Sequence, residues 1–347
     1  MDSLDFFQEE LGSIRTAVQG SARPLIFFHD DADGLSSFLQ IYRAIGEGKG
    51  VVIKATPMVT AQYLRKVAEY QPDAVFSVDL AMMEQEFADQ AKTPIHWIDH
   101  HEPQSLRNVH YYNPRVKKPD IYVPASHICY EALHQNMWIA LVGSVGDWYL
   151  PYYAREFSLK RPGILPGKVS DPETALFGSK IGTLAQMFNF LMKGTVKEAE
   201  QAMKILTRIN NPEELLEGTT SGGRFLKKRY EKLLESYMSL REKALKIRSR
   251  EKILSFTYSG EKYSFTKDLA NELIHRFPKK VIVIGREHEG KLKMSFRSKE
   301  HRLPEAIKNA LKVVPGTGGG HEYAAAAIVD KQDYKKFMEA FSKEAGL

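Results

Sequence analysis

The sequence predicts an α/β chain with two unlike domains joined by a helical stretch, and three observations carry that prediction. Residues 1–150 alternate short apolar runs with amphipathic stretches, residues 151–250 lose the alternation, and beyond 250 it returns. Such alternation marks strands joined by helical crossovers, the pattern of a parallel sheet. The resulting division is 1–155 for a parallel-sheet domain, 156–250 for a helical connecting region and 251–347 for a smaller α/β domain. A length of 347 residues suits two domains better than one.

In order along the chain, Pro24 to Phe28, Val51 to Thr56, Ala74 to Val78 and Pro94 to Ile98 read as buried strands. Amphipathic stretches near 34–46, 60–70 and 83–91 read as the crossovers between them. In open sheets of this kind ligands gather outside the carboxyl ends of the strands, so the residues that follow each apolar run are the place to search. From 151 to 250, Pro- and Gly-containing turns give way to long helical segments that end in a basic run, Arg224 to Arg250. Beyond it, Lys252 to Tyr258, Val281 to Gly285 and Lys291 to Ser295 read as strands, with helices near 266–276, 303–312 and 331–345.

Composition narrows the function classes. The single cysteine, Cys129, excludes an internal disulfide framework and a thiolate metal site. No apolar run approaches the roughly 20 residues needed to span a bilayer, and the start of the chain lacks a basic leader, so a cytoplasmic protein without a membrane partner is expected. The net charge of +6 conceals a split. Residues 1–150 hold 12 Lys and Arg against 19 Asp and Glu, whereas residues 151–347 hold 37 against 24. A basic half favours a polyanionic partner, and carboxylates gathered in the acidic half would repel one another unless a cation sat among them. Charge alone equally admits two solvated surfaces.

The acids are not scattered. His29, Asp30, Asp31 and Asp33 follow the first strand directly, Asp79 ends the third, and Asp99, His100 and His101 end the fourth. Asp147 follows the apolar stretch Trp138 to Val145, in what reads as a turn from Gly143. Asp33 alone would also serve as an ordinary helix cap. Together, however, the acids and imidazoles would collect along one sheet edge, where two divalent cations would relieve their repulsion.

These motifs, His29-x-Asp31-x-Asp33-Gly34, Asp79, Asp99-His100-His101 and Asp147, resemble the four phosphoesterase motifs of the DHH superfamily in their usual order. Gly318-Gly319-Gly320-His321 with Ser295-Phe296-Arg297-Ser298 resembles the DHHA1 substrate-binding domain of the same superfamily. The resemblance covers roughly residues 20–150 and 250–347. It implies a DHH domain and a DHHA1 domain with the active site in the cleft between them. It implies one cation held by His29, Asp31 and Asp79, and a second held by Asp33, Asp79, His100 and Asp147. Such ions sit ~3.5 to 4 Å apart and activate a water for attack on phosphorus. Oxygen and imidazole ligands suit manganese, with magnesium as the alternative. The resemblance also implies that Asp99 orients the metal-side imidazole or completes an ion's shell, and that His101 faces the phosphate as a hydrogen-bond or proton donor.

On the substrate side, Gly316 to Gly320 reads as a glycine-rich loop whose N–H groups approach an anion. Arg297, Ser295, Ser298, Gly318, Gly319, Gly320 and His321 are then the candidate substrate contacts. Trp148, Tyr149, Tyr152 and Tyr153 would stack a base or pack in the core. Lys227, Lys228, Arg229, Lys232, Lys243, Lys246, Arg248 and Arg250 would track a nucleic-acid backbone or form a solvated helix face. The single residue between His29 and Asp31 is similar to the RecJ and archaeal RecJ-like branch. That likeness implies an exonuclease acting on single-stranded DNA or RNA, with a repair or replication protein as a compatible partner and a homo-oligomer as a compatible state. The alternatives are a nanoRNase, a 3′-phosphoadenosine-5′-phosphate phosphatase or another small-nucleotide phosphodiesterase, and a non-catalytic replisome scaffold.

Overall fold

The computed structural model describes residues 4–54, 57–247, 251–260 and 262–347. They fall into two compact units, Met1–Tyr230 and Glu231–Leu347. Of the expected strand Val51 to Thr56, Ala55 and Thr56 lie outside the described residues, as do Arg248 and Arg250 of the basic run. Among the described residues no helix is long and apolar enough to cross a membrane.

The first unit begins α1 (Gln8–Gly20), β1 (Leu25–His29), α2 (Ala32–Ile45), β2 (Lys49–Ile53), β3 (Met58–Val59), α3 (Leu64–Tyr70), β4 (Val75–Val78), β5 (Met82–Met83), α4 (Gln85–Gln90), β6 (Ile95–Ile98) and β7 (His110–Tyr112). Its main sheet has the order β2-β1-β4-β6-β7, with every pairing parallel. The four expected strands are therefore present, and β7 adds an unforeseen edge. Leu25, Phe27, Val75, Ile95 and Trp97 on one face pack with Val67 and Phe87 of the crossover helices. Strands buried on both faces read as continuous apolar runs, which is why the pattern was legible.

Helices α5 (Ala125–Leu133), α6 (Met137–Gly146), α7 (Ala154–Lys160), α8 (Pro172–Gly178), α9 (Lys180–Leu191), α10 (Val196–Leu206) and α11 (Pro212–Glu217) follow. Helix α2 is buried continuously from Ala32 to Ile41, since α5, α6 and α9 enclose the side that β1 does not. The expected turn at Gly143 is instead helical, and the reason is packing. A β-carbon on Gly143 would lie 2.6 Å from both Ser126 Oγ and Ser36 Cβ, so the glycine allows α6 to approach α2 and α5 closely.

Helix α12 (Ser221–Leu245) begins in the first unit and ends in the second. The second unit continues with β8 (Ile253–Tyr258), α13 (Thr266–Arg276), β9 (Val281–His288), β10 (Lys291–Arg297), α14 (Pro304–Ala310), β11 (Gly316–His321), β12 (Ala324–Asp330) and α15 (Tyr334–Glu344). Its sheet runs β11-β12-β10-β9-β8, parallel between β8 and β9 and antiparallel elsewhere. Phe296, Ile307, Val329, Phe337 and Phe341 centre the core beneath α14 and α15.

Candidate active site

Each acidic motif sits where an element of the first unit ends. His29 closes β1, and Asp31 caps α2, accepting the Gly34 N–H at 3.1 Å. Gly34 is required for that tight entry, because a β-carbon there would lie 2.5 Å from the His29 carbonyl oxygen. Asp33 lies in the first turn of α2 but is anchored by α5: its Oδ2 accepts the Ala125 N–H at 2.8 Å and its Oδ1 the Ser126 N–H at 2.9 Å. Asp79 follows β4 with φ of 54°, a left-handed conformation that an aspartate tolerates. Asp99, His100 and His101 follow β6, and Asp147 terminates α6, its N–H bonded to the Gly143 carbonyl at 3.1 Å.

These side chains converge. His29 Nδ1 lies 2.9 Å from Asp31 Oδ2 and 3.4 Å from Asp79 Oδ2. The other Asp79 oxygen, Oδ1, lies 3.2 Å from His100 Nε2, which is 3.5 Å from Asp147 Oδ2 and 4.0 Å from Asp33 Oδ2. Ligand atoms of His29, Asp31 and Asp79 lie within 4.8 Å of one another, as do those of Asp33, His100 and Asp147 and those of Asp79, His100 and His101. Asp79 therefore faces two groupings, one through each oxygen.

The electrostatics point the same way. Burial opposes protonation of His29, but Asp31 and Asp79 outweigh it and raise its pKa well above the ordinary value. Burial likewise opposes protonation of His100, yet its hydrogen bond to Asp79 and the charges of Asp147, Asp79 and Asp33 push it up to about 10. Burial, then Asp79 and Asp147, raise the Asp33 carboxyl well above the usual range. The cluster thus takes up positive charge wherever it is offered, and a divalent cation offers more than a proton. The donor set fits such ions: the carboxylates of Asp31, Asp33, Asp79 and Asp147 converge with the imidazole nitrogens of His29 and His100, and carboxylate oxygens with imidazole nitrogens suit manganese or magnesium.

One expected relationship is corrected. Asp99 engages His101 rather than the metal-side His100: His101 Nδ1 lies 2.7 Å from Asp99 Oδ1, and the His101 N–H donates to Asp99 Oδ2 at 3.0 Å. The bond from the His101 N–H to the Asp99 side chain two residues earlier closes an Asx-type turn, which brings the two side chains together. Asn113 donates to the His101 carbonyl at 2.9 Å, and the Tyr122 hydroxyl lies 2.5 Å from Asp147 Oδ2. Sequence reasoning missed Asn113, Tyr122 and the amides of Ala125 and Ser126, since they occupy loops and a helix start without any motif. Of the aromatic cluster, Tyr153 is buried against His127, Trp148 lies edge-on to Phe177, and Tyr152 is exposed.

In the second unit, the expected glycine loop is edge strand β11. Glycine permits the pairing, because a β-carbon on Gly318 would lie 2.8 Å from the Ala326 carbonyl oxygen and Gly320 has φ of +144°. Across the sheet His321, Ala324 and Arg297 form one row and Gly319, Ala326 and Ser295 another. Residues in such rows share a face, so Arg297, Ser295, Gly319 and His321 surround a floor of small alanines. Gly318 and Gly320 alternate to the other face. Arg297 Nε donates to Asn271 Oδ1 at 2.6 Å. Ser298 caps its own turn, its Oγ accepting the Glu300 and His301 N–H groups at 3.2 and 2.8 Å.

Comparison with known proteins agrees with this architecture. Residues 256–346 match the model of the DHHA1 domain. No curated protein matches the chain. Among solved structures, RecJ from Thermus thermophilus in complex with Mn2+ is similar over 97% of this chain and 54% of that one, with TM-score 0.67 and 16% identity. The chain thus spans about half the length of the Thermus protein. An exonuclease RecJ bound to manganese is similar over 98% of this chain and 94% of that one, with TM-score 0.63 and 16% identity. The DHH domain of a protein described as a member of a family of ribosomal proteins is similar over 99% of this chain and 92% of that one, with TM-score 0.72 and 15% identity.

Proposed function

From a chain with a DHHA1 domain at residues 256–346 and the fold of RecJ-like DHH proteins, we propose a divalent-cation-dependent phosphoesterase that acts as an exonuclease on single-stranded DNA or RNA. The observation that carries the reading is the two-sided placement of Asp79, one oxygen toward His29 and Asp31 and the other toward His100, with Asp33 and Asp147 completing the second grouping. In this reading His29, Asp31 and Asp79 hold one cation, and Asp33, Asp79, His100 and Asp147 hold another, with Mn2+ preferred to Mg2+. When bound, the ions would supply an activated water and neutralise charge that builds on the phosphoryl oxygens.

The chain's own residues do the rest. Buried Asp99 holds the proton of His101 on Nδ1, which fixes the ring so that Nε2 serves the phosphoryl or leaving oxygen. Arg297, Ser295, Gly319 and His321 offer a face for a second phosphate of the strand, and the basic residues of α12 favour a polyanion. A complete set of ligand-type side chains in one cluster supports catalysis over a purely scaffolding role.

The test is digestion of 5′- and 3′-labelled DNA and RNA strands of graded length with Mn2+ or Mg2+. Mononucleotides released from strands several bases long are expected. Consumption of dinucleotides or 3′-phosphoadenosine-5′-phosphate alone would replace the exonuclease with a small-nucleotide phosphodiesterase. No turnover of any of these with either ion would remove the enzymatic reading.

A further inference from the structure

The stretch from Tyr122 to Ser126 touches every member of the Asp33, His100, Asp147 grouping. Ala125 and Ser126 hold both oxygens of Asp33 through backbone N–H groups. The Tyr122 ring stands edge-on to His100, with centroids 5.5 Å apart and planes at 69°. Its hydroxyl lies 2.5 Å from Asp147 Oδ2 and 2.7 Å from the Asp147 carbonyl oxygen. Buried Val123 anchors the segment between these contacts.

Asp147 needs such a partner for a physical reason. It ends α6, where unsatisfied carbonyls and the negative end of the helix dipole disfavour a carboxylate. The phenol offers one proton to two oxygens of this residue, and so ties the side chain to its own backbone. The oxygen it contacts is the one that faces His100 at 3.5 Å. Tyr122 as a residue remains 42% exposed, outside the hydrophobic core, so core packing does not account for the contact.

We propose that Tyr122 is a positioning residue: its hydroxyl fixes the Asp147 carboxylate so that Asp33, His100 and Asp147 present ready-placed ligands to one divalent cation. This rests on the proposed function, since it assumes that the cluster binds cations. Tyr122 contacts Asp147 and His100 of the second grouping, so its loss should act chiefly on that one site of the two. A partner that orients a ligand changes metal affinity by roughly 10- to 100-fold.

The experiment is Mn2+ titration by calorimetry and electron paramagnetic resonance on the full chain, in its original form and as Tyr122→Phe and Tyr122→Leu. The expected result is two bound ions in the original chain and, in Tyr122→Phe, one ion unchanged and the other weakened about 10- to 100-fold. The activity of Tyr122→Phe should then recover at high Mn2+ with KM little changed. Equal binding by the original chain and Tyr122→Phe overturns the inference, and so does a defect confined to Tyr122→Leu, because the ring and not the hydroxyl would then matter. Failure of the original chain to bind Mn2+ overturns the proposed function itself, which separates the two failures.

Discussion

Asp99 holds His101 through two hydrogen bonds at once, one from the ring Nδ1 at 2.7 Å and one from the backbone N–H at 3.0 Å. Asp99 is fully buried, whereas the ring it orients is partly exposed. An amide in place of the carboxylate keeps the size but favours the wrong tautomer and leaves the imidazolium unsupported. Asp99→Asn is therefore expected to lower kcat by about 10- to 100-fold. His101→Ala should lower it by about 100- to 10,000-fold, the range for loss of a general acid or base. Steady-state kinetics on a labelled single strand measures both, and turnover of His101→Ala at the original rate would remove it from the chemistry.

Asp79 offers a cleaner test of cation sharing. Its backbone has φ of 54°, which asparagine adopts as readily as aspartate, so Asp79→Asn changes charge without straining the turn. A residue facing both groupings should matter to both ions. Mn2+ affinity at each site is expected to fall by more than the roughly 10- to 100-fold typical of an outer partner. Circular dichroism should stay unchanged. An effect on one ion alone would show that Asp79 does not bridge.

Excess negative charge at the cluster predicts that divalent cations stabilise the fold. A ligand that binds only the native state at a hundred times its Kd adds about 2.7 kcal/mol per site. Thermal unfolding should therefore show a rise in Tm with Mn2+ that EDTA reverses, and the rise should vanish when Asp33 and Asp79 are both changed to Asn. A Tm indifferent to Mn2+ in the original chain would contradict a preformed cation site.

The cluster and its sheet were legible because both rest on local signals. Buried parallel strands read as apolar runs, and the acids stand directly after them at the carboxyl edge. What escaped depended on tertiary placement. Ala324–Asp330 is a strand although its run of alanines favours helix, because pairing with β10 and β11 on both sides outweighs propensity. Gly143 resembled a turn because the sequence does not reveal that Ser126 and Ser36 press against it. Tyr122 and Asn113 carry no motif, and only the folded chain brings them to Asp147 and His101.

Acid sensitivity should trace in part to His127, which lies outside the cation cluster. The ring is 2% exposed and stacks on Tyr153 at 5.5 Å, and burial lowers its pKa to about 4. Glu131 Oε1 lies 3.9 Å from Nε2, which would favour protonation, but burial outweighs it. The unfolded chain takes up a proton near pH 6.5, where the folded ring remains neutral. Between those limits the unfolded state binds more protons, so stability rises with pH. The contribution of the neutral ring is complete above about pH 6.5 and is lost as pH falls toward about 4, amounting to about 3 kcal/mol at most. Urea midpoints measured from pH 7.5 to 5 should therefore fall less steeply for His127→Gln than for the original chain, with EDTA present in both series. Parallel slopes would mean that the ring accepts its proton in the folded state, with Glu131 as the partner that admits it.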